Sequence, residues 1–246
     1  MALTDKLTAI ADGFRASRGT TNPLSLDDMA ILAAEAVGGG SDDTTLKDII
    51  ERTAVNPVLP SDLTKIGDSM FYKCEDLKLT SLPAGVTTIG DNAFGYCTNL
   101  ALISLPAGLT YIGMRAFGYC DNLALTSLPA GVTYIGDYAF DECIRLKLTS
   151  LPAGVTYIGT RAFAECINLA LTSLPAGVTT IGANAFAQCS DLTEITFEGT
   201  PDSINQKAFY LCTNLRTINV PWAEGEVSGA PWGATYATIN YNYTEV

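Results

Sequence analysis

Seven cysteines, Cys74, Cys97, Cys120, Cys143, Cys166, Cys189 and Cys212, recur at a constant step of 23 residues. A thiol can act as nucleophile, metal ligand or disulfide partner, and the spacing bears on each role. The chain contains no histidine, which removes Cys-His and Ser-His activation, imidazole zinc ligands and a histidine pH switch together. No Cys-x-x-Cys pair occurs either, so a zinc tetrahedron lacks its usual ligand pairs. Successive copies stacked about 4.8 Å apart fall inside the Cα window of a disulfide. Their parallel Cβ vectors nevertheless hold the Cβ atoms farther apart than the ~3.8 Å a bridge prefers. The expectation is seven buried free thiols in a chain that matures in a reducing compartment. Asp137, Asp141, Glu142 and Glu165 are the remaining candidates for carboxylate chemistry. Glycoside cleavage needs two carboxylates flanking one cleft, whereas a repeating surface does not gather unlike groups. Calcium would call for an Asp-x-Asp-x-Asp-Gly loop, which is absent. These four read as solvated charges, and no catalytic residue, cofactor or metal site is expected.

The elements that carry the cysteines repeat with them. Phe71, Phe94, Phe117, Phe140, Phe163, Phe186 and Phe209 keep the same step, as do Ile66 through Ile204 and Leu77 through Leu215. One 23-residue coil cannot bury its apolar side alone, so each must stack on the next as a solenoid of seven units, spanning 59–219. At strand spacing this gives roughly 30 Å of rod. Leu-Pro opens six of the units and Val220-Pro221 ends the seventh; proline ends the strand before it and the Gly of Pro-Ala-Gly turns the corner. In Ala-Phe-x-x-Cys-x-x-Leu the apolar residues stand three apart, which suits a short helical turn on the outer side. The unit Leu-Pro-x-x-Val-x-x-Ile-Gly-x-x-Ala-Phe-x-x-Cys-x-x-Leu resembles the BspA-like leucine-rich repeat of bacterial surface proteins. That resemblance implies a right-handed leucine-rich-repeat coil with a parallel β-sheet and short helical turns, and an adhesion or protein-binding role.

Composition agrees with a folded, non-nucleic-acid-binding protein. Apolar residues make up 48% and charged residues 16%, enough for a core. A net charge of −12 opposes a phosphate backbone, and the apolar runs are too short to span a membrane. No secretory signal is evident at the N-terminus. Leu3, Leu7, Ile10, Ala11 and Phe14 have helical spacing, and a second helix, capped by Ser25, should run from Leu26 to about Val37. Residues 1–37 are thus expected as a helical hairpin for attachment or oligomerisation. Residues 38–42 follow as a Gly-rich linker, and 43–58 as a capping helix with Leu46, Ile49, Ile50 and Thr53 on one face. Lys6 to Asp12, Gly19 to Thr21 and Leu26 to Ala30 resemble the start of tail-associated proteins of phages and prophages of Gram-positive bacteria. Together with the lack of an evident secretory signal, that resemblance points to a virion-associated or cytoplasmic protein, with cell-surface exposure as the alternative. Residues 220–246 form an aromatic C-terminal segment expected to cap the last coil. The alternative for its Trp222 and Trp232 is contact with a sugar face.

Recognition would fall to the outer surface. In Leu77-Lys78-Leu79-Thr80-Ser81-Leu82 the inward positions implied by the family are the first, fourth and sixth, leaving Leu79 and Ser81 on the open sheet face. The row Leu79, Leu102, Leu125, Leu148, Leu171 then stands exposed beside Ser81, Ser104, Ser127, Ser150 and Ser173. The competing possibility is a shifted strand that buries the leucines and turns Thr126 and its counterparts to water. Exposure is expected because one residue of slip would turn over every neighbouring side chain. Tyr111, Tyr134 and Tyr157 form a second row, useful for recognition or merely as a sheet stabiliser. The function these residues suggest is non-enzymatic binding of a protein or cell-surface glycan. A structural virion component assembling as a homo-oligomer is the alternative, and an enzyme is disfavoured.

Overall fold

The computed structural model describes residues 52–59 and 61–244; the helices expected over 3–16 and 26–37 lie outside them. The chain forms β1 (Lys65–Ile66), β2 (Thr88–Ile89), β3 (Tyr111–Ile112), β4 (Tyr134–Ile135), β5 (Tyr157–Ile158), β6 (Ser173–Leu174), β7 (Thr180–Ile181), β8 (Glu194–Phe197), β9 (Ser203–Ile204), β10 (Thr217–Asn219) and β11 (Thr238–Asn240). β1-β2-β3-β4-β5-β7-β9 make one parallel sheet in which each residue pairs with its copy in the adjacent coil, as Ile112 does with Ile135. β11-β10-β8-β6 make a second parallel sheet toward the C-terminal end. Between the sheets lies one continuous core.

That core is a set of ladders. The seven phenylalanines stack with ring centroids 5.3–5.5 Å apart and nearly parallel planes. Ile66 through Ile204 and Leu77 through Leu215 are buried alongside them. Gly136 and Gly159 follow the isoleucines where adjacent coils press together. A Cβ on Gly159 would stand 2.5 Å from the Asp137 amide nitrogen and 2.6 Å from the Gly136 carbonyl carbon, so only glycine fits.

The expected helical turn is absent, and no described residue is helical. Instead the Ala-Phe-x-x-Cys stretch is a chain of β-turns. In the second coil Ala93, Gly95 and Cys97 donate their amides to Gly90, Asn92 and Phe94, three residues back. The intervening amides of Asn92, Phe94 and Tyr96 point along the stack to Met114, Ala116 and Gly118 at 2.7–2.8 Å. A helix would turn every amide onto its own axis and leave the neighbouring coil's carbonyls without donors. Asn92 and Tyr96, at φ 55° and 63°, take the left-handed conformation that a type II turn needs at its third position and that a helix forbids. The three-residue apolar spacing is common to both structures, which is why it misled.

The segment 43–58 departs from expectation in the same way over its described part, since residues 52–58 contain a turn at Arg52 and a bend at Val55 and Asn56 but no helix. Arg52 does the covering there. Its Nη1 donates to the carbonyls of Ser69 at 2.9 Å and Met70 at 3.2 Å, and its guanidinium interacts with the Cys74 thiol.

Candidate functional site

The leucine row is inside. Leu102, Leu125, Leu148 and Leu171 are 0–2% exposed and Leu79 is 7% exposed, whereas Thr80, Thr126, Thr149 and Thr172 face water. Exposure was the wrong expectation because the register slip is local. Leu123 and Leu128 on either side of Leu125 remain inward, so the offset is absorbed within a few residues. No regular strand is formed at 77–82 or in the corresponding stretches of the next three coils. The slip gives up ladder hydrogen bonds there and gains burial of about 1.5–3 kcal/mol per leucine. In β8, by contrast, Ile195 and Phe197 point inward and Glu194 outward, as the family pattern implies. Ser81, Ser104, Ser127 and Ser150 are exposed; Ser173 is half-buried and donates to Glu198 at 2.7 Å.

The tryptophans are equally out of reach of a sugar. Trp222 is 3% and Trp232 0% exposed, both packed against Phe197, and the Trp232 Nε1 donates to the Ser228 carbonyl at 2.9 Å. They close the open face of the last coil, and β11 adds a strand beside β10.

The tyrosine row remains on the surface. Tyr111 is exposed and Tyr134 and Tyr157 are half-buried, carried on β3, β4 and β5 with Ile112, Ile135 and Ile158 pointing inward beside them. Their rings stack at 4.9 and 4.8 Å with interplanar angles of 5° and 4°. The stack hides the internal ring faces and presents edges and hydroxyls. Burial, then the neighbouring carboxylates of Asp91 and Asp137, push the phenol pKa values up, and the Tyr157 hydroxyl donates to Asp137 at 3.3 Å. Those carboxylates are structural: Oδ1 of Asp91 accepts the Met114 amide at 2.8 Å and that of Asp137 the Thr160 amide at 2.7 Å. Beside the tyrosines runs an exposed threonine row, in which Thr110, Thr133 and Thr156 each donate a hydroxyl to the carbonyl of the threonine one coil back. The structure therefore joins tyrosines to threonines, not to the leucine and serine rows.

A second aromatic row escaped the sequence reading. Tyr96 and Tyr119 stack at 4.4 Å, with Lys73 over the Tyr72 and Tyr96 rings. Lys73, Tyr96, Tyr119, Glu142 and Glu165 share the 23-residue step, which is the signal that would have revealed it.

The cysteines are buried and free. From Cys97 to Cys212 each thiol donates to the carbonyl of the phenylalanine 26 residues earlier, at 2.9–3.1 Å. Burial raises their pKa values, to about 12 for Cys212, which disfavours the reactive thiolate. Among the described residues no group of histidine, cysteine, aspartate or glutamate side chains could hold a metal ion, and no helix is long and apolar enough to cross a membrane.

A model of the BspA type leucine-rich repeat region matches residues 52–170 and 114–227. The match begins after the segment resembling phage tail-associated proteins and gives that resemblance no support. Among solved structures, a leucine-rich repeat protein from Bacteroides ovatus is 22% identical over 77% of this chain and 61% of its own, with a TM-score of 0.47. A leucine rich cell surface protein from Faecalibacterium prausnitzii is 26% identical over 65% of this chain and 53% of its own, at 0.48. A T. pallidum leucine-rich repeat protein is 29% identical over 68% of this chain and 72% of its own, at 0.49. The chain thus spans only about half to three fifths of the first two. No curated protein matches. With the family model covering the whole stack of coils, the chain belongs to the BspA-type leucine-rich repeat proteins.

Proposed function

We propose that this protein binds a protein ligand through the outer face of the seven-stranded sheet, with Tyr111, Tyr134 and Tyr157 as its centre and the adjoining threonine row as its rim. A leucine-rich-repeat solenoid is an architecture typical of non-catalytic adhesion and recognition proteins. The observation that carries the assignment to this face is the tyrosine stack, which offers a rigid line of ring edges and hydroxyls at coil spacing. Ordered tyrosines give large contact area at small entropic cost. A glycan is the weaker ligand, because the stack covers the ring faces on which a pyranose would lie and the tryptophans are buried.

The test is a triple variant, Tyr111→Thr, Tyr134→Thr and Tyr157→Thr. Thr88 and Thr180 hold the same position in neighbouring coils, so the fold accepts the change. The full chain and the variant are screened against purified cell-surface and matrix proteins and against a glycan panel. Protein binding lost in the variant supports the reading; binding to glycans alone, or undiminished in the variant, overturns it. Display from a virion or a cell surface through residues 1–37 is part of this proposal and rests on the resemblance of residues 6–30. Light scattering of the full chain against residues 42–246 tests it, assembly only in the full chain being the supporting result.

A further inference from the structure

We propose that the flank of coils 128–150 and 151–173, further round the stack than the tyrosine row, is a docking groove for a positively charged segment of a partner protein whose cations are flanked by apolar side chains. The groove has a volume of about 330 Å³ and is lined in part by Glu142, Ile144, Glu165, Ile167 and Leu211. Repetition supplies the argument, since a site shows where copies stop resembling one another. The row containing Ile144 and Ile167 otherwise carries Glu75, Thr98, Asp121, Ser190 and Thr213. Only these two coils place isoleucine there, 38% and 43% exposed.

The same two coils replace Tyr96, Tyr119 and Gln188 with Glu142 and Glu165. Beside Glu142 a third departure lies underneath: Asp141 is buried where Gly118 and Ala164 stand in the adjacent coils. Arg161 reaches over it, with Nη2 2.9 Å from Asp141 and 3.0 Å from Glu165. Arg161 thus holds the Glu165 carboxylate in place through Oε1, and the Tyr119 hydroxyl is hydrogen-bonded to Glu142. Both carboxylates are thereby fixed at the rim of an exposed apolar strip, on a chain of net charge −12. Fixed anions beside exposed isoleucines complement lysine or arginine next to leucine-like side chains, and unlike charge also raises the rate of encounter.

Fluorescence anisotropy with a labelled pentapeptide of alternating lysine and leucine, against one of alternating glutamate and leucine, tests this on the full chain. The lysine peptide should bind and the glutamate peptide should not. Ile144→Ser with Ile167→Ser, and separately Glu142→Gln with Glu165→Gln, should each weaken binding at least tenfold, the latter pair also flattening its salt dependence. Ser190 and Gln188 occupy these rows one coil on, so the replacements suit the fold, and an unchanged melting curve verifies it. Ile103→Ser, and Glu75→Gln with Glu224→Gln, alter exposed residues outside the groove and should leave binding intact. No binding, equal binding of the glutamate peptide, or an equal loss in these controls overturns the proposal. The triple threonine variant of the tyrosine row should keep peptide binding, so the two surfaces succeed or fail separately.

Discussion

Cys97 and its copies are held by geometry that leaves little for chemistry. From Cys97 to Cys212 each thiol donates to a phenylalanine carbonyl, Cys74 instead meets the Arg52 guanidinium, and burial raises the pKa of all seven. Because the thiolate is the reactive form, a water-soluble aromatic disulfide reagent should label none of the seven in native buffer. Labelling should appear only at the rate of unfolding, and rapid native reaction contradicts the assignment. Asp141 is buried, whereas the Glu142 and Glu165 side chains beside it are half-buried. Burial outweighs the attraction of Arg161 and raises its pKa to about 6. A folded-state value above the unfolded one, about 3.9, means that the native state binds this proton more tightly. The resulting contribution to stability is full below about pH 4 and is lost as pH rises through 6. Urea titrations of the wild type and Asp141→Asn should therefore diverge with pH, the wild type gaining on the variant between pH 7 and 4.5. A pH-independent difference contradicts the burial argument.

At the scale of the coil, the decisive feature is which side of the chain Leu125 and Thr126 face. Leu125→Ala should cost about 2–5 kcal/mol through lost burial and a cavity, and Thr126→Ala no more than about 0.5 kcal/mol, both measured by urea unfolding. The opposite order requires the unshifted strand. The isoleucine, phenylalanine, cysteine and leucine ladders were legible in the sequence because a fixed step without insertions admits one arrangement, each residue on its own copy. The leucine row at Leu79 was not, since alternation gives the period of a strand but not its phase. That phase was set by an irregular stretch with few ladder bonds to lose. Nor was the turn chain legible: Tyr96, Glu142 and Glu165 sit at positive φ, and nothing in these residue types announces it. Of the candidate surface, the tyrosine row was visible from its step, whereas the burial of Trp222 and Trp232 depended on Phe197 and the last coil lying beneath them.

For the whole molecule, stability should be the sum of coil terms and interfaces between neighbours, with Arg52 at one end and the tryptophan pair at the other. Each inner coil is then interchangeable within the stack, while its outer residues are free to differ, as coils 128–150 and 151–173 do. Deletion tests this most directly. Removing residues 105–127 takes out one whole coil and joins Ser104 to Leu128, the same Ser-Leu junction that the chain already has at Ser127 and Leu128. Removing 105–126 instead leaves every later ladder one residue out of phase. Small-angle scattering and urea unfolding should show the in-phase deletion folded, cooperative and shorter by about 4.8 Å, and the out-of-phase deletion unfolded or without its cooperative transition. If both variants fold alike, or if the in-phase deletion collapses, the coils are not independent copies and the ladder account is wrong.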